Sequence, residues 1–128
     1  MSRIIIADDD PGFGSMLERV LSQDGHTVEL AENGRQALAL IRKQPPDLLI
    51  CDVIMPDMEG VELLLTLRLE VPKLPTLAIS GGGRFGSADY LNLARKAGAR
   101  EILAKPFTPE QLKVAVEKAL SSVQGERA

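Results

Sequence analysis

Cysteine is close to absent from this chain: Cys51 stands alone among 128 residues. No internal disulfide can form, and the expected setting is a reducing compartment. Tryptophan is missing, and tyrosine and phenylalanine number only one and three. There is one histidine and no His or Cys cluster, so metal chemistry, if any, must use oxygen ligands. No block of Lys or Arg interrupts a formal net charge of −3, which excludes a nucleic-acid partner held by a general electrostatic surface. No apolar run reaches membrane-spanning length. The first run is too short for a signal peptide and ends in three aspartates, so a cytoplasmic protein is expected. Linkers and low-complexity stretches are missing too. The length suits one domain, residues 1–120, followed by a short polar tail, 121–128, and the chain is expected to work without an attached output domain.

What is present is a set of short apolar runs, each stopping at a polar residue. Ile4-Ile5-Ile6-Ala7 stops at Asp8-Asp9-Asp10, and Leu48-Leu49-Ile50-Cys51 stops at Asp52. Thr76-Leu77-Ala78-Ile79 stops at Ser80, and Ile102-Leu103-Ala104 at Lys105-Pro106. Such runs read as buried parallel strands, and Thr27 to Ala31 alternates well enough for a fifth. Between them lie helical patterns. Phe13, Met16, Leu17, Val20 and Leu21 repeat on one face, with Gly25 suited to the C-terminal cap. Asn33 can cap a second helix carrying Ala37, Leu38 and Ile41, which Pro45-Pro46 ends. A third carries Val61, Leu64, Leu65 and Leu67 and closes before Pro72. A fourth runs from about Ser87 to Ala97 before Gly98. Thr108-Pro109-Glu110-Gln111 combines a capping box with Pro at the first helical position, opening a helix that buries Leu112, Ala115, Val116 and Ala119.

Strict strand–helix alternation predicts a doubly wound α/β sandwich with a five-stranded parallel sheet. Strand order 2-1-3-4-5, the flavodoxin-like arrangement, places Asp8, Asp9 and Asp52 together at the switch point, where ligands sit in open α/β sheets. Crowded carboxylates repel, and a cation resolves the repulsion. With only hard oxygens on offer, Mg²⁺ is the expected ion. A carboxylate beside Mg²⁺ can attack a phosphoryl group, with Lys105 and Ser80 contacting the remaining oxygens.

These motifs together resemble the receiver domain of two-component response regulators over residues 3 to 120. They are Ile4 to Asp9, Asp52-Val53-Ile54-Met55-Pro56-Asp57-Met58-Glu59-Gly60, Ser80 after its strand, Gly98-Ala99, and Lys105-Pro106-Phe107. The resemblance implies Asp52 as phosphoacceptor and Asp9 as a direct Mg²⁺ ligand. Asp8 would act through metal-bound water, and the main-chain carbonyl of Ile54 would be a further ligand. Ser80 and Lys105 would bind the phosphoryl oxygens. It implies a signalling phosphoacceptor, not an enzyme with its own substrate. The partners would be a histidine kinase or histidine phosphotransfer protein and a downstream protein target, with no direct contact to nucleic acid. The Lys105-Pro106 peptide is often cis in this family.

One departure bears on signalling. Relatives often carry Tyr or Phe three residues before the lysine, as a rotamer switch; here that residue is Ile102. The switch is therefore expected to run through the mobile backbone of Gly81 and Gly82, with Ile102 beside it. Tyr90 is read as surface packing on its helix, His26 as a surface turn residue and Cys51 as an inert core thiol. A haloacid-dehalogenase-type phosphatase with Asp8 as nucleophile shares the Asp8-x-Asp10 pattern, Ser80 and Lys105. That family also needs an acidic metal-binding motif after its lysine, where this chain has Pro106-Phe107-Thr108-Pro109, and the reading leaves Asp52 without a role. A phosphate-independent pseudo-receiver is outweighed by the complete set of Asp8, Asp9, Asp52, Ser80 and Lys105.

Overall fold

The computed structural model describes residues 2–53, 59–81 and 87–127. In chain order the elements are β1 (Arg3–Ala7), α1 (Pro11–Gln23), β2 (Thr27–Ala31), α2 (Gly34–Lys43) and β3 (Leu48–Asp52). They continue as α3 (Glu59–Glu70), β4 (Thr76–Gly81), α4 (Ser87–Lys96), β5 (Glu101–Lys105) and α5 (Pro109–Arg127). All four strand pairings are parallel, in the order β2-β1-β3-β4-β5. The expected doubly wound sandwich is the observed fold. Helix α5 continues through the segment read as a polar tail, to Arg127.

Strand alternation sorts side chains between the two faces of the sheet. Ile4, Ile6, Leu48, Ile50, Leu77 and Ile79 pack with Leu17 and Leu21 of α1 and with Leu112 and Val116 of α5. Ile5, Ala7, Leu49 and Cys51 face the other way, onto Ala37 and Ile41 of α2 and Leu63 and Leu67 of α3. A third cluster joins Val53 and Ala78 to Leu64 of α3 and to Ala94 and Ala97 of α4, with Ile102 packed against it. Because both faces are covered, each central strand is apolar throughout instead of alternating.

Local signals explain most boundaries. Asp10 is the N-cap of α1, its Oδ1 accepting from the Gly12 and Phe13 N–H groups at 3.0 and 3.2 Å. Asn33 caps α2 by accepting from Gln36 N–H at 2.8 Å. At α5, Thr108 Oγ1 accepts from Gln111 N–H, and Gln111 Oε1 accepts from Thr108 N–H in return. Gly25 and Gly98 both take positive φ, 94° and 115°, where a Cβ is disfavoured. Each closes a Schellman motif: Gly25 donates to Ser22 and His26 to Leu21, while Gly98 donates to Arg95 and Ala99 to Ala94.

Two helix faces differ from expectation. Met16 is exposed, and buried Gly14 takes its place, close against Leu30. On α3, Leu63 is buried and Leu65 exposed. That helix has apolar residues all round (Val61, Leu63, Leu64, Leu65, Leu67, Leu69), so periodicity alone does not select its inner face.

Candidate functional site

The carboxylates converge because of the register. Ala7 of β1 lies opposite Cys51 of β3, so the next residue on each strand, Asp8 and Asp52, leaves the sheet side by side. Oxygen atoms of Asp8, Asp9 and Asp52 all lie within 4.8 Å of one another. Asp8 and Asp52 are buried and Asp9 is exposed, so the cluster opens to solvent on the side of Asp9.

Lys105 arrives from the end of β5, two strands away. Its Nζ donates to Asp52 Oδ2 at 3.3 Å. The Lys105-Pro106 peptide is cis. Ser80 sits fully buried at the same end of β4, paired with Ala104, while the next residue, Gly81, pairs with Lys105. Among the described residues, no buried side-chain nitrogen or oxygen is left without a hydrogen-bond partner. Of the other residues singled out in the sequence, Ile54 and Gly82 lie outside the described residues, as does the side chain of Tyr90. Ile102 is half-buried beneath α4.

Electrostatics follow from this crowding. Burial pushes the Asp8 carboxyl up from 3.8 to about 6. The negative charges of Asp52 and Asp9 push the same way, while a hydrogen bond from Asp10 N–H and the Lys105 ammonium oppose them. That bond, 2.8 Å to Asp8 Oδ1, also fixes the turn leading into α1. Three carboxylates against one ammonium leave the cluster short of positive charge. All its donors are hard oxygens, a set that fits Mg²⁺ and offers nothing to a soft metal.

Two residues have roles here that sequence reasoning did not assign. Gly60, at the start of α3, approaches the phosphoacceptor candidate's backbone so closely that a Cβ would lie 2.4 Å from the Asp52 carbonyl oxygen and 2.8 Å from Val53 Cα. Only glycine permits that contact. Phe13, read simply as part of the inner face of α1, also places its ring under the Lys105 ammonium, 3.8 Å from Nζ to centroid. No spacing rule links an α1 aromatic to a β5 lysine. Cys51 is buried on the opposite face, with Sγ 3.4 Å from the Asp52 carbonyl oxygen, as expected of a core thiol. His26 precedes β2, at the sheet end away from the carboxylates; its Nδ1 accepts from Ser2 N–H, and its ring is mostly covered.

The chain matches the model of the response regulator receiver domain over residues 4–117. Sporulation initiation phosphotransferase F of Bacillus subtilis is 30% identical over 118 residues, covering 92% of this chain and 93% of that protein. Response regulator MprA of Mycolicibacterium vanbaalenii is 39% identical over 110 residues, 86% of this chain and 46% of that protein. Transcriptional regulatory protein ZraR of Escherichia coli is 36% identical over 118 residues, 92% of this chain; the chain thus spans about a quarter of its length, 26%. Among solved structures, a CheY-like response regulator receiver domain protein from Methanospirillum hungatei superimposes with a TM-score of 0.88 at 28% identity, covering 98% of each chain.

Proposed function

The chain belongs to the response regulator receiver family, and from that premise we propose that Asp52 accepts a phosphoryl group from a partner's phosphohistidine. An Asp52 carboxylate oxygen attacks phosphorus, the phosphorus–nitrogen bond breaks, and the imidazole leaves with its electron pair and takes up a proton. The observation that carries this reading is the position of Asp52: buried, within 4.8 Å of two further carboxylates, and met by Lys105 at 3.3 Å.

Asp9, Asp52 and the main-chain carbonyl of Ile54 would hold Mg²⁺ directly, and Asp8 through a bound water. Bound there, the ion supplies positive charge to the transferring group. Lys105 is placed to move from the Asp52 carboxylate to a phosphoryl oxygen, and Ser80 contacts another. Asp8 contributes charge and anchors the turn through Asp10 N–H. Asp10 itself is occupied as the α1 cap, which argues against an Asp8-x-Asp10 phosphatase pair. The phosphatase reading also leaves the buried Asp52 carboxylate, which Lys105 meets, without a role.

The incoming partner, a histidine kinase or histidine phosphotransfer protein, has a rim of mixed polar and apolar residues to approach. A hollow of about 170 Å³ beside Asp8 is lined by Pro11, Ser15 and Leu30, among others. The product acts as a signalling phosphoprotein whose phosphorylated surface selects a downstream protein. Residues 1–120 form the receiver body in this account. No helix among the described residues is long and apolar enough to cross a membrane.

The test is incubation with acetyl phosphate and Mg²⁺, read by intact mass. Wild type is expected to gain one base-labile phosphoryl group and Asp52→Asn none. Undiminished labelling of Asp52→Asn would falsify the assignment.

A further inference from the structure

We propose that Phe13 is a positioning residue for Lys105, holding the ammonium at Asp52 by its ring face. This rests on the phosphoacceptor reading above and adds to it a residue outside the acidic cluster. Lys105 Nζ lies at once 3.3 Å from Asp52 Oδ2 and 3.8 Å from the Phe13 ring centroid. The Phe13 ring is set in turn by Phe107, whose centroid is 5.9 Å away with the planes at 78°, an edge-to-face pair. Both rings pack against the apolar layer formed with α1 and α5. Phe107 lies just past Lys105, so the loop that carries the lysine also carries the buttress of the ring beneath it.

The chemistry of the pairing suits a lysine that must change partners. Its ammonium sits on a flexible four-carbon stem with three donors. A second carboxylate would restrain it only by accepting one of those donors and by adding negative charge where a phosphoryl group must arrive. An aromatic face attracts the cation through its quadrupole and accepts no directed hydrogen bond. The ammonium is thereby confined laterally while its N–H groups stay available, first to Asp52 and then to a phosphoryl oxygen.

The experiment places fluorinated phenylalanines of increasing fluorine content at position 13, keeping ring shape while draining the π face. Phe13→Leu and Phe13→Tyr are made beside them, each also in a Lys105→Met background. Two quantities are read: the NMR shifts of the Lys105 ε-methylene, and the affinity for beryllofluoride in Mg²⁺, which imitates the phosphoryl group. Wild type and Phe13→Tyr are expected to show ring-shifted ε-protons and matching affinities. Affinity should fall stepwise with fluorination, by about three- to tenfold at full substitution, and the effect should vanish in Lys105→Met. Affinities that ignore fluorination, or that fall equally in Lys105→Met, overturn the positioning role and leave only packing. No beryllofluoride binding by wild type would instead overturn the phosphoacceptor reading, and this inference with it.

Discussion

Two neighbouring aspartates of one turn, Asp9 and Asp10, carry opposite assignments, and single substitutions separate them. Asp10 accepts two backbone N–H bonds as the α1 cap. Asp10→Ala should therefore cost about 1 kcal/mol in a urea melt without metal, leaving Mg²⁺ affinity nearly unchanged. Asp9 is exposed and has its oxygen in the acidic cluster, so Asp9→Ala should weaken Mg²⁺ by about tenfold or more, the loss expected even of groups supporting a metal ligand. Isothermal titration checks both, and equal losses of affinity would show that the metal site is misplaced. Asp8 adds a pH dependence. Its carboxyl is raised from 3.8 to about 6, so the folded chain holds a proton there that the unfolded chain has released. Asp8 thus favours folding in acid, and that contribution is lost as pH rises through about 6. A cation competes with the same proton. Metal affinity should be level above pH 6 and fall by up to about tenfold per pH unit below it. An affinity unchanged down to pH 5 would remove Asp8 from the site.

At the scale of elements, the switch is expected to run through the end of β4, α4 and β5. Ile102 is branched, half-buried and packed with Ala78, Ala94 and Ala97, leaving no ring to swing inward. The Gly81–Lys105 pairing couples the end of β4 to Lys105 directly. A ligand shifts such an equilibrium only through its differential affinity for the two states. Amide exchange with and without beryllofluoride should change between Gly81 and Lys105 and stay constant over Asn33 to Lys43. Changes centred on α2 would contradict this route. The elements themselves were largely legible in the sequence, because strand ends, caps and Schellman glycines are encoded within a few residues. Thr27–Ala31 and Leu48–Asp52 begin and end where their patterns do. Helix faces were less legible where leucines crowd. Leu63 and Leu65 are chemically identical, and only the packing of α3 on Ala37 and Ile41 tells them apart. The site was legible in its carboxylates and lysine, whose strand-end positions follow from topology. It was not legible in Phe13 or Gly60, whose importance comes from contacts distant in sequence.

On the scale of the whole molecule, sheet order turns scattered residues into a site. Asp8 and Asp52 are neighbours only because β1 and β3 are, and Lys105 reaches Asp52 only because β4 and β5 extend the same sheet at parallel register. The fold covers both faces of that sheet and leaves its carboxyl edge for chemistry, as open α/β sheets do. The central claim is that this edge forms an acyl phosphate on Asp52. Its most direct test is borohydride reduction of the phosphorylated chain, which converts an aspartyl phosphate to homoserine, followed by peptide mass spectrometry. Homoserine is expected at position 52 alone, formed only when Mg²⁺ and acetyl phosphate are both present. Homoserine at position 8, or none at 52 in a chain that has taken up phosphate, would contradict it.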